Sequence, residues 1–185
     1  MKRIFYLASL MIFLISCAST GINTYGVNVI SQREYERRIS PYTKKIETYK
    51  GLINTLHMSA TLINSAVADA QIQQKARLYQ WDQNALESEI NKIDAELNRT
   101  TQIFVSLYTP ERKHDDLHKN ETLWKMFLDS DGRRWEGKAQ KIKLLATEVQ
   151  ALYPDHTQFA TPYIITFPVP IKSIENQKLK LTITG

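Results

Sequence analysis

One cysteine, Cys17, stands in the 185 residues. It has no second thiol to pair with, so the chain has no intramolecular disulfide and no cluster of thiolates for a metal. Whatever folds must be held by apolar burial and backbone hydrogen bonding alone.

The residues before Cys17 form their own unit. Lys2 and Arg3 precede an almost unbroken apolar run from Ile4 to Ile15. Such a run, about a dozen residues behind a short basic start, is a secretory leader; a spanning helix needs about 20. The run closes on Leu14-Ile15-Ser16-Cys17, which resembles the lipobox of bacterial lipoproteins. The resemblance implies a signal peptide over residues 1–16, removed by a cut just before Cys17, and a diacylated Cys17 thiol as membrane anchor. Each buried acyl CH₂ contributes about 0.8 kcal/mol, so several chains hold a protein stably on a bilayer. Acylation would also account for the solitary thiol. Ala18, where an Asp retains lipoproteins of enteric-type bacteria on the inner membrane, implies passage to the outer membrane. The remainder of the chain resembles envelope lipoproteins with no assigned activity.

From Cys17 onward there are 169 residues, with 22 basic against 19 acidic side chains and a net charge of +3. That length suits one domain with a real core. So mild a charge argues against a nucleic-acid partner, which calls for concentrated positive charge on one face. Residues 17–40 carry Gly21, Gly26 and many polar side chains without strong periodicity, and read as the lipidated Cys and its tether, with a short helical turn near Arg33–Arg38.

The domain is expected over 41–185. A first strand is placed at 43–49, closed by Lys50-Gly51. From Leu52 to Leu62 the alternation is plain, with Leu56, Met58, Ala60 and Leu62 on one face and Thr55, His57, Ser59 and Thr61 on the other. His57 is thus expected to point outward. Asn64-Ser65 then offers a helix cap, and one long helix is predicted over about 64–99. Its stripe runs Ile72, Ala76, Tyr79, Gln83, Leu86, Ile90, Ile93, Leu97, widened by Leu78 and Trp81. A helix of about 34 residues is about 50 Å long. Its stripe either packs on the rest of the domain or projects to meet a partner helix through Ile72, Tyr79, Leu86, Ile90, Ile93 and Leu97.

Further strands are predicted at 100–109, 124–129, 133–138, 142–146, 163–169 and 179–184, with a short helix at 147–153. Ser130-Asp131-Gly132 makes a hairpin turn, and Pro168 and Pro170 argue that their strand lies at an edge or bends there. The sum is an α+β, mainly β, fold: an immunoglobulin-like antiparallel β-sandwich with one long inserted helix. The Cys…Trp…Cys hallmark of antibody domains is absent.

Chemistry is sparse. His114-Asp115-Asp116-Leu117-His118 sets two imidazoles and two carboxylates within five residues, a candidate divalent-metal site for hydrolysis if a helical turn brings both rings to one face. His156 beside Asp155 is the one other source of ligands. As the bland alternative, Asp115 and Asp116 are turn and capping groups. Glycine-rich phosphate loops and the GxSxG nucleophile are missing. Arg112-Lys113 and Arg133-Arg134 offer contacts for an anionic envelope polymer. Trp124, Trp135, Tyr108 and Tyr163 are assigned to the core and its rim. The expected function is a non-enzymatic binding or assembly module held on the membrane by its lipid, with another envelope protein as partner. No cofactor beyond the lipid and no small-molecule substrate is implied. A polymer-binding module and a metal-dependent hydrolase are the alternatives.

Overall fold

The 52–62 alternation produces the longest strand of the computed structural model, which describes residues 20–51 and 53–184. Cys17 and the leader lie outside them. In chain order the elements are β1 (Thr20–Ile22), β2 (Asn28–Ile30), α1 (Gln32–Ile39), β3 (Thr43–Lys50), β4 (Ile53–Ile63), α2 (Ser65–Leu78) and α3 (Gln83–Leu97). They continue with β5 (Thr101–Tyr108), β6 (Lys125–Ser130), β7 (Arg133–Glu136), β8 (Lys138–Lys141), α4 (Ala146–Leu152), β9 (Thr161–Phe167) and β10 (Leu179–Thr184). Strands join in a five-stranded main sheet, β3-β4-β5-β9-β8, a three-stranded small sheet, β10-β6-β7, and the β1-β2 pair. Every pairing is antiparallel. The chain is therefore a β-rich α+β fold.

β5, the central strand of the main sheet, is buried on both faces. Ile103, Val105 and Leu107 join Tyr163, Ile165 and Phe167 of β9 and meet Met126 and Leu128 of the small sheet in the largest core cluster. On the opposite face Phe104 packs with Val149, Leu152 and Tyr153 around α4. Its ring stacks on that of Tyr153, with centroids 3.5 Å apart. The layers are small sheet, main sheet and helices.

The tether expected at 17–40 is not what forms from residue 20 on. Ser31 caps α1, accepting from the Glu34 amide, and Ile30, Tyr35 and Ile39 bury against Val67 and Ala70 of α2. The buried Tyr35 phenol donates to the Leu152 carbonyl of α4. Gln74 of α2 is fully buried and donates to Gln32 of α1 at 2.6 Å and to the Ala151 carbonyl at 2.9 Å. Few apolar residues spread over two short strands and one short helix leave no visible period, although they suffice to dock.

The single helix is two. The chain breaks after α2 at Gln80, whose φ is 52°, and Asp82 opens α3 by accepting from the Ala85 amide at 2.8 Å. Reversal brings Lys75 within 3.1 Å of Glu89 and lets both halves use their stripe, which a straight rod could not. Two strand placements also shift. The strand expected at 142–146 forms at Lys138–Lys141, and β9 is an interior strand, between β5 and β8. It ends at Phe167, before Pro168, and takes Pro162 next to its start, where a missing N–H costs least. The 130–132 hairpin forms as expected, with Asp131 and Gly132 both at positive φ. Among the described residues no helix is long and apolar enough to cross a membrane.

Candidate binding groove

The acidic and histidine segment folds into a structural belt. Asp115 accepts from the Tyr163 phenol at 2.9 Å and from the Thr161 hydroxyl, and Asp116 accepts from Thr122 at 2.9 Å. Burial and the Asp115 carboxylate push the Tyr163 phenol well above its ordinary value. The His114 carbonyl accepts from the Trp124 indole at 2.8 Å, its imidazole lies 3.4 Å from Glu111, and the exposed His118 ring leans on Tyr163. These side chains do not converge. Among the described residues no group of three or more His, Cys, Asp or Glu is placed to hold a metal ion.

The other histidine of interest is His156. Its Nδ1 and the Oγ of Ser106 share a 2.7 Å hydrogen bond inside the helical layer, and burial lowers the imidazole's pKa. Ser106 has no exposed surface, so the pair is a satisfied core contact without an approach for a substrate. The two partners are 50 residues apart in the chain, a pairing no local pattern announces. His57, expected to point outward, is only partly exposed and lies 3.0 Å from Glu47 on β3.

The basic pairs do not merge into one patch. Arg134 grips Asp129 through bonds of 2.6 and 3.1 Å and stacks over Phe127. Lys113 pairs with Glu111 at 2.7 Å, while Arg112 and Arg133 are exposed. Arg112 and Lys113 lie near the start of β6 through the His114–Trp124 bond; Arg133 and Arg134 follow its far end, about 17 Å away at about 3.4 Å per residue.

The helical stripe is divided by the break. Ile72 and Leu97 are buried, Leu86 packs against Val27, Val29 and Ala76, and Ile93 packs against the main core. Tyr79 and Ile90 are exposed, at 43% and 42%, and Tyr79 donates to Glu148 at 3.1 Å. Two exposed residues of six do not make a continuous seam.

Apolar surface is instead left open between the sheets. Among the described residues β10 is hydrogen-bonded to β6 alone, on the outer edge of the small sheet. Leu179, Leu181 and Ile183 pair with Ser130, Leu128 and Met126, so they share the core-facing side with buried Leu128 and Met126. Beneath and beyond them runs β4. Leu56, Ala60 and Leu62 lie on the same face as buried Met58 and are only partly covered. Across β3, Ile46 stands opposite Met58 and is 50% exposed. Two cavities follow this line. One of about 340 Å³ lies between Tyr42, Lys44, Ala60, Leu62, Leu179 and Leu181. The other, of about 420 Å³, lies between Leu56, Pro110, His114, Leu123 and Trp124. Leu123 is 71% exposed at its mouth. Both cavities can hold an apolar ligand.

No family model matches the chain, and no curated protein matches it. A solved structure of a novel protein of unknown function from Burkholderia pseudomallei is similar, with 12% identity and a TM-score of 0.44 over 83% of this chain and 79% of that one.

Proposed function

We propose that the chain is a non-enzymatic lipoprotein of the bacterial cell envelope, anchored on the outer membrane through an acylated Cys17, whose folded part binds another envelope protein. The motif ending at Cys17 supports the address. The observation that carries the binding role is the groove, where Ile46 is exposed and Leu56, Ala60 and Leu62 are only partly covered beside the edge strand β10. Exposed apolar surface lining a concavity marks a contact site more often than a defect. In this reading the small sheet and the main sheet are the two halves of an immunoglobulin-like sandwich, with the helices as an insertion and the groove at its unfinished side.

Metabolic labelling with a fatty-acid analogue, comparing the native chain with Cys17→Ser, tests the anchor. A photo-crosslinker placed at Ile46 or Leu62 in cells tests the binding. Labelled protein that fractionates with the outer membrane and one reproducible cross-linked envelope protein are the expected results. Unlabelled native protein defeats the address; cross-links no more specific than those from a solvent-facing position such as Asn91 defeat the binding role.

A further inference from the structure

We infer that the end of the helical layer where β1 begins is the surface that rests on the lipid bilayer. This rests on the reading of Cys17 as acylated and adds the face of the fold that meets the lipid. Three observations point there.

The first is chain length. Only Ala18 and Ser19 separate Cys17 from the first residue of β1, Thr20. Three Cα steps cover at most about 11 Å, and the headgroup layer on one side of a bilayer takes up about 5–7 Å of that. An acylated Cys17 therefore leaves the fold no room to stand off, and whatever surrounds Thr20 meets the headgroups.

The second is what surrounds Thr20. Its register partner is Ile30, just before α1. In the first turn of α1, Gln32 accepts from Gln74 and Arg77 of α2 at 2.6 and 2.8 Å. The turn after β1 is tied to the corner between α2 and α3. Asn23 donates to the Ala76 and Trp81 carbonyls at 3.2 and 2.8 Å, and Thr24 donates to Gln80 at 2.7 Å. At that corner Tyr79 donates to Glu148, whose other oxygen accepts from the Leu145 amide, each at 3.1 Å. The β1-β2 turn, the α2-α3 corner and the start of α4 thus belong to one end of the layer.

The third is apolar exposure. Eleven large apolar side chains stand exposed among the described residues, and six of them belong to these segments: Ile22, Tyr25, Leu78, Tyr79, Leu144 and Leu145. Ile22, Tyr25 and Leu145 are 71%, 65% and 70% exposed. Ile22 is two residues along β1 from Thr20, about 7 Å. None of the six lines either cavity of the groove. Tyrosine, with an apolar ring and a polar tip, is a side chain enriched where a bilayer meets water. Charges of both signs border the cluster, Arg33, Arg77 and Lys143 with Glu36, Asp82 and Glu148. Apolar and aromatic side chains, not a net charge, therefore carry the contact.

The test returns the acylated protein, purified from membranes, to vesicles of phosphatidylethanolamine and phosphatidylglycerol. A photo-crosslinking residue replaces Tyr25, Leu145, Ile46 or Ile90, all of them exposed. The intact mass first establishes the acyl groups on Cys17. Phospholipid adducts are expected at Tyr25 and Leu145 in several-fold higher yield than at Ile46 and Ile90, and high salt should not reduce them. Equal yields at the four positions, adducts lost in high salt, or cross-linked protein in place of lipid at Tyr25 and Leu145 overturns the inference. A missing acyl mass at Cys17 brings down the address and this inference together. Acylated protein without lipid adducts at Tyr25 and Leu145 brings down the inference alone.

Discussion

The phenol of Tyr163 donates a 2.9 Å hydrogen bond to the carboxylate of Asp115, tying the loop after β5 to a fully buried residue of the main sheet. The same carboxylate takes the Thr161 hydroxyl, and the adjacent His114 carbonyl holds the Trp124 indole at the mouth of the groove. Asp115 thus ties down the loop whose His114 carbonyl holds the Trp124 wall of the candidate site. Asp115→Ala takes the acceptor from the Thr161 hydroxyl and leaves the Tyr163 phenol only the Asp115 main-chain carbonyl, 3.1 Å away, and an unsatisfied buried polar group costs about 1–3 kcal/mol. Urea denaturation should show a loss in that range for Asp115→Ala and a smaller one for Tyr163→Phe, which leaves Thr161 its acceptor. Trp124 fluorescence should redden in the native baseline of Asp115→Ala. Equal stability of all three proteins would refute the structural role.

Gly137 joins β7 of the small sheet to β8 of the main sheet, and its amide donates to the Met126 carbonyl at 2.8 Å. A Cβ there would lie 2.5 Å from the Phe167 ring and 2.8 Å from Ile165. Both neighbours are fully buried and have nowhere to move. Gly137→Ala is expected to destabilise by at least about 1–3 kcal/mol, the cost of overpacking a filled core. Gly21→Ala, with open space around the added methyl, is the control and should change the thermal midpoint little.

His156 adds a pH dependence whose sign follows from its surroundings. Burial holds its pKa below the ordinary value of 6.5, so the folded state favours the neutral ring bonded to Ser106 while the unfolded chain takes up a proton at 6.5. Its contribution to stability is whole above 6.5 and declines as the pH falls below it. Urea midpoints from pH 8 down to about 5 should fall for the native protein. They should fall less for His156→Gln, which keeps a polar partner for Ser106 and does not titrate. Parallel curves for the two proteins would remove His156 from the acid response.

Legibility from the sequence was uneven, for identifiable reasons. β4, β5 and the 130–132 hairpin were readable because a strict period of two and a turn requiring positive φ are local signals. The layer docked by Ile30, Tyr35 and Ile39 was not, because its apolar residues acquire meaning only once α2 is beside them. The break at Gln80 was hidden by a stripe that keeps its spacing across the turn, and Asp82, a good cap, was the overlooked signal. For the site, the His114–His118 segment was singled out as a candidate metal site, with turn and capping roles for Asp115 and Asp116 as the alternative. Its side chains, however, turn to Tyr163, Thr161 and Thr122 and away from a common centre. The groove could not be read at all. It depends on the small sheet being two strands narrower than the main one, and strand order is a long-range property that no window of sequence carries.

The divided stripe separates residues that hold the fold from those that remain available. Leu97 is 9% exposed and belongs to the main core, whereas Ile90, two turns earlier on α3, is 42% exposed. Leu97→Ala should cost about 2–5 kcal/mol through lost burial and the cavity left behind, read as a fall in the urea midpoint. Ile90→Ala should stay within about 0.5 kcal/mol, as exposed substitutions do. If a partner helix used the stripe, Ile90→Glu would abolish cross-linking to the envelope partner while leaving stability intact, and Ile46→Glu would not. The groove requires the opposite pair of results. Ile46 is as exposed as Ile90, so neither variant is expected to unfold the protein and the comparison reads binding alone.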